Sequence, residues 1–187
     1  MKQSLFALAL IAAAPFAASA AEGVSYNYVQ GGYTATNGDV DAKGYSIDGS
    51  VAVHPNVHIF GGYTAQDIDN STVDVDEWRL GVGYNRELSN KVDLVSRIAY
   101  DRLKADAGSG IRTTLDGYNA EVGVRGAVNP HFEAYATAGY EDHERIDGNF
   151  YGRLGAQVKF NQNWSVDGNV KVADGDTQWT VGPRFSW

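Results

Sequence analysis

From Val29 to the end of the chain, apolar residues alternate with polar or small ones at every second position, in one segment after another. The stretch QWTVGPRFSW (178–187) states the pattern most plainly. There Trp179, Val181, Pro183, Phe185 and Trp187 alternate with Thr180, Gly182, Arg184 and Ser186. A period of two belongs to a β-strand whose two faces meet different surroundings. No segment after Ala21 shows the 3.6-residue period of an amphipathic helix. The chain therefore reads as all-β, with a sheet that is apolar on one face and polar on the other.

Such segments recur to give about ten strands of roughly ten residues each. Short connectors fall at 54–56, 87–91, 128–131 and 161–163. Longer acidic or glycine-rich ones fall at 37–43, 67–76, 102–115, 142–149 and 173–176. Short turns at one end and longer loops at the other predict an antiparallel, up-and-down transmembrane β-barrel. An even strand count places both termini on the short-turn side.

The polar face is heavily charged. Glu77, Arg79, Arg97, Glu121, Arg125, Arg153, Lys159 and Arg184 lie on it, with Asp48, Asp101, Glu133, Asp167 and Lys171. A water-soluble barrel turns such residues outward; a membrane barrel turns them inward, because lipid is the apolar phase. The rings decide between them. Tyr33, Tyr45, Tyr63, Trp78, Tyr100, Tyr118, Tyr140, Phe150 and Trp179 adjoin the longer loops on the apolar parity. Phe132, Phe160, Trp164, Phe185 and Trp187 adjoin the short turns, and aliphatic residues fill the band between. Two aromatic girdles around an aliphatic band suit two membrane–water interfaces. A soluble sandwich or lipocalin-like barrel would gather its rings mid-strand. Tyr26 and Tyr28 break the parity of Val29 and Tyr33. Either they point inward or the strand is bulged near Gly31 and Gly32.

Residues 1–20 (MKQSLFALALIAAAPFAASA) carry a basic start at Lys2, an apolar run and the small-residue box Ala18-Ser19-Ala20. This predicts a cleaved secretory signal peptide and a single barrel domain over 21–187. Cysteine is absent and the formal charge is −8. Thiolate chemistry is excluded, and a nucleic-acid partner is disfavoured.

Mixed charge signs on the inward face predict ion pairs that close a narrow lumen, against a small pore lined by one sign. The acidic stretch DIDNSTVDVDE (67–77) misses the calcium-loop pattern, with Thr72 where glycine is needed and Trp78 where the bidentate glutamate belongs. A solvated acidic rim is expected, or one that shares divalent cations with lipopolysaccharide phosphates. A rim-site protease needs paired acid and histidine. In EDHER (141–145), Asp142 and His143 are neighbours and so point apart. No catalytic residue, metal site or cofactor is expected.

The terminal strand resembles that of bacterial outer-membrane barrels, which ends on an aromatic residue and is read by the barrel-assembly machinery. Trp179, Val181, Phe185 and Trp187 match; Pro183 departs from the usual hydrophobe. The whole chain also resembles the Ax twenty-one family of small outer-membrane proteins, in the OmpX/OmpA-like barrel class. VSYNYVQGGY (24–33), VDEWRLGVGYNRE (75–87), EVGVR (121–125), FYGRLGAQVKFNQNW (150–164) and VGPRFSW (181–187) carry that resemblance. It implies a monomer in a Gram-negative outer membrane and its shed vesicles, in contact with membrane lipid and lipopolysaccharide. It further implies a non-enzymatic role in the envelope or in contact with host or neighbouring-cell surfaces. Roles in cell–cell signalling, motility, biofilm and virulence have been proposed for that family, the signalling one being contested.

Overall fold

Ten strands follow one another as hairpins in the computed structural model, which describes residues 20–107 and 112–187. They are β1 (Tyr28–Asn37), β2 (Ala42–His54), β3 (Val57–Ile68), β4 (Asp74–Ser89), β5 (Val92–Asp106), β6 (Arg112–Asn129), β7 (Phe132–His143), β8 (Ile146–Lys159), β9 (Trp164–Ala173) and β10 (Asp176–Ser186). Each pairs antiparallel with its sequence neighbours, and β10 returns to β1 to close the ring. The expected leader lies outside the described residues except for Ala20.

The barrel is inverted. Ile98 and Leu154 on its outer wall are 65% and 67% exposed, while Asp93, Asp101 and Glu133 inside are 0–1% exposed. Only an apolar surrounding makes that arrangement favourable, since bare aliphatic surface on this scale is unfavourable in water. Tyr26 and Tyr28 are both buried inside, and β1 keeps one register with β2 throughout, so the parity break marks inward rings and not a bulge.

The outer connections are shorter than the sequence suggests. The 67–76 loop shrinks to residues 69–73, because β3 and β4 stay paired as far as Asp67↔Asp74. Within the expected 102–115 loop, residues 102–106 and 112–115 are paired strand, because β5 and β6 pair out to Asp106↔Arg112. Two expected loops are two-residue turns, at Glu144-Arg145 and Asp174-Gly175. Asp174 and Gly175 have φ of 45° and 89°, the left-handed pair that a tight hairpin requires. Past the girdle both strand faces meet water, so the apolar alternation disappears while the hydrogen-bonded ladder continues.

At the β1–β10 seam the ladder runs from Tyr28↔Ser186 to Gln30↔Arg184 and resumes at Tyr33↔Val181. The gap faces Gly182 and Pro183. Proline has no N–H to give, so a ladder hydrogen bond is missing there. A Cβ on Gly182 would strike the Gly31 carbonyl oxygen, so glycine permits the two backbones to approach this closely.

Candidate functional site

The lumen holds the densest polar chemistry of the molecule. Glu121 on β6 is its hub. It lies 3.4 Å from Arg97 on β5 and 3.8 Å from Arg153 on β8, and accepts a 3.0 Å hydrogen bond from the Tyr151 hydroxyl. Towards the end that carries the termini, Glu133 pairs with Arg125 and, at 2.9 Å, with Lys159. Towards the loop end, Arg79 lies 2.7 Å from Glu77 and 3.8 Å from Asp101, and Lys171 lies 2.5 Å from Glu141. Arg184 reaches Asp167 at 3.9 Å. Glu77, Arg79, Arg97, Glu121, Arg125, Arg153, Lys159 and Arg184 thus each have an opposite charge within 3.9 Å. Neutral donors tie separated strands together as well. Gln30 and Tyr135 donate to Asp167 from β1 and β7, and Gln178 on β10 donates to Gln66 on β3.

These pairs are held in place by inward rings that periodicity alone does not reveal. Each ring lies over the glycine directly opposite it on the next strand: His58 over Gly83, Phe60 over Gly81, Tyr135 over Gly155 and Tyr151 over Gly139. A methyl group at any of these glycines would collide with the ring. The rings in turn support cations. Arg184 sits 3.5 Å from the Tyr28 centroid, Arg97 5.1 Å from Phe60 and Lys171 4.6 Å from Tyr151. Such contacts contribute about 0.5–2 kcal/mol each, more when desolvated. The signal for them was in the sequence, as alternating inward rings and glycines, but only the register joins one to the other. The space left at the centre is about 120 Å³, room for several waters.

The end that carries the termini is filled by residues 21–27, which precede β1. Tyr26 is fully buried and stacks on His58 with centroids 4.6 Å apart. Asn27 accepts from the Ala52 amide at 2.7 Å, Ser25 accepts from Arg184 at 3.2 Å, and Lys159 donates to the Gly23 carbonyl. The Trp187 amide donates to the Asn27 carbonyl at 3.2 Å, so the last residue is tied to the segment just before β1.

Outside, aromatic rings pack against one another. Tyr33 touches Tyr45 and Trp179, each at 5.8 Å; Trp78 touches Tyr100 at 5.5 Å, and Tyr140 touches Phe150 at 5.1 Å. Tyr63 stands opposite Trp78, and Tyr100 opposite Tyr118. At the other end Phe185 packs between Trp164 and Trp187, at 5.1 and 6.2 Å. Trp179, Val181, Phe185 and Trp187 thus run down one outward stripe.

A belt of charge tops the loop-side girdle. Tyr63 donates to Asp76 at 2.7 Å and Tyr118 to Asp142 at 3.0 Å. Arg102 grips Asp116 with two hydrogen bonds of 2.5 and 3.2 Å, 5.7 Å from the Trp78 ring. Lys43 pairs with Asp69 at 2.5 Å, and the carboxylate holds its ammonium above the usual lysine range. Asp142 turns outward to Tyr118, while its neighbour His143 stands on the opposite face of β7.

An inverted ten-strand ring with a charged interior, an aliphatic wall and two aromatic belts defines a transmembrane barrel of the outer-membrane type. The chain belongs to the outer membrane protein beta-barrel domain family, whose model it matches over residues 5–182. None of the curated proteins compared with it matches. Among solved structures it is similar to the KdgM porin in complex with disordered oligogalacturonate, at 11% identity and a TM-score of 0.52, covering 86% of this chain and 99% of that one. It is also similar to the N-terminal barrel of Pseudomonas aeruginosa OprF, at 13% identity and a TM-score of 0.48, covering 86% and 98%. Ail of Yersinia pestis is similar at 10% identity and a TM-score of 0.44, covering 86% and 95%.

Proposed function

We propose that this protein is a non-enzymatic outer-membrane barrel with a sealed lumen, acting through its outer rim and wall. One observation carries the reading: the charges inside are paired with one another across strands, around the Glu121 and Glu133 hubs. A channel needs its lining charges free to meet an ion. Reconstitution into planar bilayers tests this. The expected record is flat at applied voltages that open general porins; reproducible conductance steps would make it a small pore instead.

The rim is the working surface in this reading. Its carboxylates, among them Asp76, Asp116 and Asp142, are tied to the ring belt and its neighbours on the loop side, the side from which lipopolysaccharide phosphates would approach. Divalent cations shared between the two would anchor the barrel in the outer leaflet. Added Ca²⁺ should then raise the melting temperature of the barrel in lipopolysaccharide bilayers, and an unchanged value would count against it. Several features weigh against a rim protease. Asp142 and His143 point to opposite faces, and His54 and His131 sit at the turns near the termini. Incubation with dibasic peptides should give no cleavage. The motifs quoted from residues 24–33 to 181–187 support placing the chain with the Ax twenty-one proteins, as a monomer inserted by the barrel-assembly machinery and carried onto vesicles.

A further inference from the structure

Among the described residues, five acids are buried inside the barrel: Asp93, Asp101, Glu121, Glu133 and Asp167. Four of them have a cationic partner within 4.0 Å. Asp93, the second residue of β5, has none among the described residues. It is 0% exposed, and among the described residues its carboxylate accepts from two groups, both in the segment before β1. These are the Ala21 backbone nitrogen, 3.0 Å from Oδ1, and the Tyr26 hydroxyl, 2.9 Å from Oδ2. Arg125 bears on Asp93 electrostatically from beyond ion-pair distance, but its guanidinium is taken by Glu133 and lies over the Tyr26 ring. Glu133 adds further negative charge nearby. A carboxylate so deeply buried without a paired cation is strongly unfavourable.

The missing cation is one peptide bond away. The Ala18-Ser19-Ala20 box directs a leader peptidase to the bond between Ala20 and Ala21. Hydrolysis there leaves the Ala20 carboxylate on the released leader. Water supplies its second oxygen, and both water hydrogens go to the Ala21 nitrogen, which becomes –NH₃⁺. A free α-amine is protonated below a pKa of about 7.7–8.0 and more firmly beside a carboxylate. We propose that the mature chain begins at Ala21 and that its new α-ammonium is the ion-pair partner of Asp93. Export-linked processing thereby turns an amide hydrogen bond into a buried salt bridge. The unprocessed chain can seat the same segment, through Glu22 on Asn90 and Asn27 on Ala52, but cannot neutralise Asp93. The plug therefore locks only after the leader has gone.

The mature barrel purified from outer membranes provides the test. Intact mass should place its first residue at Ala21. Reductive methylation should label the α-amine of the folded barrel at least about tenfold more slowly than that of the urea-unfolded chain. Asp93→Asn should abolish most of this protection. A chain refolded with one glycine added ahead of Ala21 keeps an amide at the site, and it guards against a variant that fails to fold. Its urea midpoint should fall below that of the chain starting at Ala21, with no further fall when combined with Asp93→Asn. A different first residue, equal labelling of folded and unfolded chains, or equal midpoints with and without the glycine would each overturn the proposal.

Discussion

The ring of Tyr151 covers Gly139, its direct partner across the β7–β8 ladder, while its hydroxyl reaches Glu121 two strands away. One side chain thus fills the space a methyl would need and fixes the central acid of the lumen. Tyr135 repeats the arrangement over Gly155, with its hydroxyl on Asp167.

Gly139→Ala and Gly155→Ala should each cost about 1–3 kcal/mol, because the displaced ring has no free space to enter. Gly152→Ala is the control, since nothing lies within 4 Å of its added methyl. Urea unfolding followed by tryptophan fluorescence should separate the first two from the third.

Glu121→Gln should destabilise the barrel by about 3 kcal/mol or more, because it leaves Arg97 and Arg153 facing each other inside without their shared carboxylate. The same unfolding titration checks it. A loss of only a few tenths would mean that the lumen charges are solvated individually.

Removing Phe185 or Trp187 should lower the amount of barrel found in the outer membrane before it alters any property of molecules that do insert. Both rings lie on the outward stripe with Trp179 and Val181, where assembly factors can reach them. Membrane fractionation with immunoblotting measures the effect, and normal levels in both variants would remove the terminal strand as the signal.

Pro183→Val should slow hydrogen exchange around Gly31 and Gly32. Valine restores the donor that proline lacks where the β1–β10 ladder is interrupted. Exchange mass spectrometry on the detergent-solubilised barrel should show these amides exchanging faster than the rest of β1 in the native protein, and slower in the variant.

Membrane contact leaves a strong trace in sequence, and that is why the strands and their antiparallel, up-and-down order could be read directly. The trace stops where the lipid stops. Residues 74–76 and 112–116 are paired strand, yet their outward side chains meet water, so they resemble loops. Tyr26 and Tyr28 were ambiguous for a related reason: the segment before β1 lies inside the ring, where parity has no outer reference. Pairings such as Tyr135 with Gly155 depend on register, which belongs to two strands at once. The Asp174-Gly175 turn was legible in principle, as an Asp-Gly step between alternating segments.

The seam opposite Pro183 also bears on how the ring forms in time. Nine of the ten strand pairings join neighbours in the chain, and β1 with β10 is the one that joins its extremes. The loop-closure entropy of the whole molecule is therefore concentrated in a single late event. Until that event the sheet has two bare edges, which hydrocarbon does not tolerate. Closure and entry into the bilayer must be nearly simultaneous, and a hydrogen bond left out at the joint makes the last contact the easiest to reverse while the ring is still finding its register.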